Sequence, residues 1–170
     1  MARKHARLLL SIWDDDDFTR LTPVDQSIYF GIISSRDLSW CGVAPLLPQR
    51  LVRNAQGLTE RRVAAALDRL ARDRFVVIDR DTAELVVRTF VRHDEVMRQP
   101  NVVKAMATAL DRVHSRRLRD VILEEVARDF VEHPEYPGWR ALADHYPKVM
   151  AEVHEKASGN PSANPSRKAR

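Results

Sequence analysis

Over residues 60–73 the apolar positions Val63, Ala66, Leu67 and Leu70 recur at helical spacing behind Thr59, a residue suited to an N-cap. The pattern predicts a helix with one buried stripe. At 100° per residue its opposite side carries Arg61, Arg62, Ala65, Arg69 and Arg72, with Asp68 and Asp73 on the flanks. The period then changes. Phe75, Val76, Val77 and Ile78 form a short apolar run rich in β-branched residues, 79–83 is polar turn material, and 84–91 reads as a second strand. Together they predict a β-hairpin with acids at Asp79, Asp81 and Glu84 around Arg80 at its tip. A tip of that charge disfavours deep insertion into a phosphate-lined groove, so the arginine helix is expected to dominate any contact with nucleic acid.

Upstream, Val24, Ile28 and Ile32 with Tyr29, Phe30 and Ile33 predict a buried helix over 23–33, opened by Thr22 and Pro23. Residues 38–43 supply a short strand, and 48–55 a helix whose Leu51 faces inward while Arg50 and Arg53 reach solvent. A turn over 54–57 leads into the arginine helix. The order helix, short strand, helix, turn, helix, hairpin is that of a winged helix-turn-helix. The expected fold class is mainly α with a small β-hairpin, a winged helix-turn-helix with a C-terminal helical extension. Its parts are a basic arm, short strand and acidic lead-in over 1–20, the winged helix over 21–94, the extension over 95–156 and a disordered basic tail over 157–170.

Within the extension, 101–113 and 115–131 read as two helices. The second carries an apolar stripe of Leu118, Ile122, Val126 and Phe130, with Val121 beside it, while Arg116, Arg117, Arg119 and Arg128 alternate with Asp120, Glu124, Glu125 and Asp129. That stripe either packs on the winged helix of its own chain or forms the seam of a homodimer. Residues 133–147, with Trp139, Tyr136 and Tyr146, read as a compact turn and short helix in which the aromatics pack.

The chain has 170 residues, 44% of them apolar and 31% charged, enough to bury a core. Charge is unevenly distributed: six cations (Arg3, Lys4, Arg7, Arg167, Lys168 and Arg170) sit in the two ends, leaving the body at −2 of the formal +4. Affinity for a polyanion must therefore come from a local patch, with the ends adding contacts of no sequence preference. Cys41 is the only cysteine, which excludes an intramolecular disulfide and suits a buried thiol in a cytoplasmic protein. No run approaches a membrane span. The acids Asp14, Asp15, Asp16 and Asp17 suggest a divalent metal, but adjacent side chains diverge and a lead-in to the first helix is the better reading. The stretch 26–30 loosely resembles a sliding-clamp-binding peptide, yet it falls within a core helix. No phosphate loop, nucleophile elbow or metal spacing is present, so neither an enzyme nor a cofactor is expected.

The residues Ser11-Ile12-Trp13, Asp17-Phe18, Gln26-Ser27-Ile28-Tyr29, Leu38-Ser39, Cys41-Gly42-Val43, the stretches 74–79 and 84–92, and Gln99-Pro100-Asn101-Val102 carry a resemblance. Over roughly 8–130 the chain resembles winged-helix DNA-binding proteins of actinobacteriophages and related prophages. These are similar in organisation to the N-terminal domains of phage replisome organisers and DnaD-like primosome proteins. The resemblance implies a winged helix and binding of double-stranded DNA in replication initiation or transcriptional control. The long second domain of larger replication initiators is missing from this chain. From the residues themselves the expected DNA-binding set is Arg50, Arg53, Arg61, Arg62, Ala65, Arg69, Arg72 and Arg80, with Arg62 and Arg69 at the major groove and Arg61 and Arg72 on flanking phosphates. The alternative is an adaptor that binds a replication or transcription protein of host or phage, DNA contact being secondary.

Overall fold

A computed structural model of the chain describes residues 5–159. A 3-10 turn over Leu10–Asp14 precedes α1 (Asp16–Thr19) and α2 (Pro23–Ile33). Next come β1 (Val43–Pro45), α3 (Pro48–Val52), α4 (Glu60–Arg72), β2 (Val76–Asp79) and β3 (Glu84–Val87). The remainder is helical: α5 (Phe90–His93), a 3-10 turn at Val96–Arg98, α6 (Pro100–Leu110), α7 (Arg116–Glu132), α8 (Gly138–His145) and α9 (Pro147–Ser158). The molecule is thus mainly helical, and β1 joins the hairpin in one antiparallel sheet of order β1-β3-β2. Val86 of the central strand faces Val43 on one side and Val77 on the other.

Local chemistry accounts for the helix starts. Asp15 caps α1 by accepting from the Asp17 and Phe18 amides, and this seats Phe18 in the core. There Phe18 meets Trp13, Tyr29 and Phe75 edge to face at centroid separations of 5.7, 5.7 and 6.1 Å. Thr22 caps α2 through the Asp25 amide, and Thr59 caps α4 through that of Arg62. Behind Thr59 the stripe Val63, Ala66, Leu67 and Leu70 is buried. Cys41 is buried as well, and burial pushes its thiol up.

Several expected boundaries move. The strand expected over 38–43 is a turn up to Gly42, which takes φ +82°, and pairing begins only at Val43. The helix expected over 48–55 is the single turn α3. The second hairpin strand ends at Val87 rather than 91 because its partner strands supply no ladder further on, and the chain coils into α5 to bury Phe90 and Val91. In place of a short strand before residue 20, the described part of 1–20 holds the 3-10 turn and α1. Residues 133–147 give α8, and a further helix, α9, continues through Ala157 and Ser158 into what reads as tail. The rest of that tail, over 160–170, and the arm residues 1–4 lie outside the described residues.

The stripe Leu118, Ile122 and Val126 of α7 is buried inside the chain, where α7 packs on α5, α9 and both hairpin strands. That face is thus covered within the chain, with Phe130 at its end only partly buried. One hydrophobic cluster runs from Phe18 and Ile28 through Leu70 and Val86 to Met106, Ile122, Leu142 and Val153, so the core crosses the expected boundary at 94 without a break. Among the described residues no helix is long and apolar enough to cross a membrane.

Candidate nucleic-acid interface

Because the buried stripe of α4 faces α2 and the sheet, its other side is turned to solvent. Arg61, Ala65, Asp68 and Arg72 follow one another along that side at four-, three- and four-residue steps, and all are exposed. Ala64 is also exposed, so the surface is low around Ala64 and Ala65, with the exposed Asp68 between them and Arg72. Arg61 and Arg72, together with Arg53 just after α3, make no ion pair or side-chain hydrogen bond among the described residues. They are cations free to meet an anionic ligand.

The other expected arginines are engaged within the chain. Arg50 pairs with Asp37. Arg62 donates to the Gly57 carbonyl at 2.8 Å, which folds it over the turn that precedes its own helix. Arg80, at the hairpin tip, reaches back to Asp68 on α4 at 2.6 Å. Arg69 departs furthest from expectation. Its Nε and one terminal nitrogen fork onto the carboxylate of Asp25 at 2.7–3.1 Å, and Asp25 is only 1% exposed. Burial works to raise the Asp25 carboxyl, but hydrogen bonds from Arg69 and Thr22 outweigh it and hold the group below its ordinary value. Arg69 therefore locks α4 to α2, with the Nε side of its guanidinium committed to Asp25. Helical spacing put it among the outward cations because it sits at the rim of the buried stripe, where a long side chain turns either way.

No known protein family, curated protein or solved structure matches this chain.

Two arrangements escaped the reading of the sequence. At the hairpin tip, Glu84 accepts from the His114 amide at 3.2 Å and the Ser115 amide at 2.8 Å, while Asp79 accepts from the Ser115 hydroxyl. Ser115 in turn caps α7 through the Leu118 amide. Two of the three tip acids are thus spent holding the start of α7, where negative charge is favourable. Further along α7, the buried Glu125 receives three guanidinium groups, those of Arg128 at 3.0 Å, Arg92 at 3.3 Å and Arg88 at 3.4 Å. This joins the end of β3 and α5 to α7. Local i,i+3 spacing reveals only the Arg128 contact; the others span 33 and 37 residues. In the acidic lead-in, Asp15 is a helix cap, and among the described residues no three metal-ligating side chains come together.

Proposed function

We propose that residues 21–94 form a winged helix-turn-helix and that the protein binds double-stranded DNA through the outward side of α4. The observation that carries this reading is the strip Arg61, Ala65, Asp68, Arg72: two free guanidiniums at the ends of an exposed helix surface that is low at Ala64 and Ala65, carries the Arg80-paired Asp68, and has its opposite side anchored in the core. Small side chains in the middle permit close approach of the helix axis to a duplex, and the flanking arginines suit phosphate oxygens or guanine edges. The element order α2, β1, α3, α4, β2, β3 and the sheet order β1-β3-β2 support it, since a winged helix-turn-helix runs helix, strand, helix, helix and hairpin in the same order. Arg53, just after α3, adds a phosphate contact. The setting proposed is the cytoplasm of a bacterium carrying a phage or prophage, in replication initiation or transcriptional control.

The reading makes predictions of opposite sign for two variants of α4. Arg61→Ala with Arg72→Ala weakens binding and lowers the dependence of log affinity on log salt by about two units, one per lost phosphate contact. Asp68→Asn frees Arg80, removes an acid from the strip, and tightens binding with a steeper salt dependence. Fluorescence anisotropy on a labelled duplex across a salt series measures both. Unchanged affinity in a double variant that melts like the parent would exclude this helix and leave the docking of a replication or transcription protein as the role of the surface.

A further inference from the structure

The acidic hairpin tip is a poor wing by itself, and the structure supplies what it lacks from another element. Ser115 is clamped to the tip by Asp79 and Glu84, so the α6–α7 connection lies directly against it. On one flank, Arg112 and His114 share a groove with Thr82 and Ala83; on the other, Arg117 shares a groove with Arg80 and Ile78. Arg112, Arg116 and Arg117 are all exposed and hold no ion pair or side-chain hydrogen bond among the described residues. We propose that the α6–α7 connection is a second phosphate-contact site, in which Arg112, Arg116 and Arg117 grip the DNA backbone beside the hairpin tip. The inference rests on the reading of α4 given above and extends it to the helical part of the chain.

Three features make the duplex backbone the fitting occupant. First, the site adjoins the α4 strip, because Arg80 bridges from the tip to Asp68 at 2.6 Å, so a rod-like polyanion lying along α4 passes the tip as well. Second, the clamp turns the tip's Asp79 and Glu84 carboxylates towards Ser115 and His114, while Arg112, Arg116 and Arg117 stay exposed and unpaired among the neighbouring exposed acids Asp81, Asp111 and Glu124. Third, the mounting is rigid. Besides the two carboxylates at Ser115, Arg119 donates to the Leu110 carbonyl at 3.2 Å and closes the turn from the other side. Arginines on a fixed turn lose less freedom on binding than those of a free tail. None of the three faces a built base-reading frame, so their contribution is independent of sequence.

The test uses the full chain carrying Arg112→Gln, Arg116→Gln and Arg117→Gln, with anisotropy on a random-sequence duplex from about 50 to 200 mM salt. Affinity is expected to fall roughly tenfold or more at 0.1 M salt, equally for any sequence, and the salt dependence to drop by about two to three units. The corresponding triple lysine variant keeps the charges and should bind close to the parent. Arg117→Gln alone, expected to lower the salt dependence by about one unit, serves if the triple glutamine variant does not fold. If the glutamine variants melt and bind like the parent while the Arg61, Arg72 variant is weakened, the second site is overturned and the α4 reading stands. If the α4 variant binds normally and the glutamine variants do not, the α4 reading falls and the α6–α7 site remains. Indifference of both to DNA overturns both, and an acidic protein segment becomes the occupant to seek.

Discussion

Asp25 and Asp129 are both buried carboxylates, and their surroundings drive them in opposite directions. Asp25 holds the Arg69 fork and the Thr22 hydroxyl, so its carboxyl lies below the ordinary value; the stability it contributes is present above that value and lost as pH falls through its depressed one. Asp129, 3% exposed, has one oxygen with no hydrogen-bond partner among the described residues. Burial pushes its carboxyl up to about 6, against the attraction of His133 and Arg92. Here the sign reverses, because the folded state binds the proton more tightly than the unfolded chain. The benefit is full below the ordinary aspartate range, declines as pH rises, and is gone above about 6. Asp129→Asn removes the cost of the buried charge and is expected to stabilise the protein at pH 7 by about 1–3 kcal/mol, with a flatter stability profile between pH 4 and 6. Urea denaturation at several pH values measures this, and a variant no more stable than the parent at pH 7 would show that Asp129 has found compensation.

At the scale of elements, the turn out of α4 shows a local rule kept with an unusual residue. The Phe75 amide bonds the Leu70 carbonyl at 2.9 Å and the Arg74 amide bonds that of Ala71 at 3.2 Å, the paired contacts of a Schellman ending. The residue that must take the left-handed conformation is Arg74, at φ 64°. Arg74→Gly relieves that strain and should raise stability by about 1 kcal/mol, seen as a higher urea midpoint at unchanged slope. Loss of stability would instead reveal a packing role for the Arg74 stem. The same ending explains why the helix-to-hairpin passage was legible: a helical stripe stops at Leu70, and β-branched residues begin a few positions later. The end of β3 was not legible, since the apolar run continues through Phe90 and Val91 while its partner strands do not. Pairing, rather than propensity, ends a strand.

For the molecule as a whole, the continuous core means that the helical extension and the sheet-bearing part support each other. Ile122, 1% exposed beneath α7, is the position to probe. Ile122→Glu places a charge in the core and is expected to unfold a monomer or cost several kcal/mol, rather than to split a folded dimer into folded halves. Sedimentation with circular dichroism separates these outcomes, and folded monomers arising from a parent dimer would mean that the stripe is shared between chains after all. The sequence by itself determined the helices α2, α4 and α7, the caps at Thr22 and Thr59, the hairpin, and the outward side of α4. Each of these depends on residues within a few positions of one another, where periodicity and capping act. Only the tertiary structure decided which arginines are free. Arg69 is taken by Asp25 across 44 residues, Arg80 by Asp68 across 12, Arg50 by Asp37 across 13, and the acids of the hairpin by Ser115 more than 30 residues on. Ion pairing is set by distance through space and by burial, and no local pattern encodes which helix will bring an opposite charge within reach.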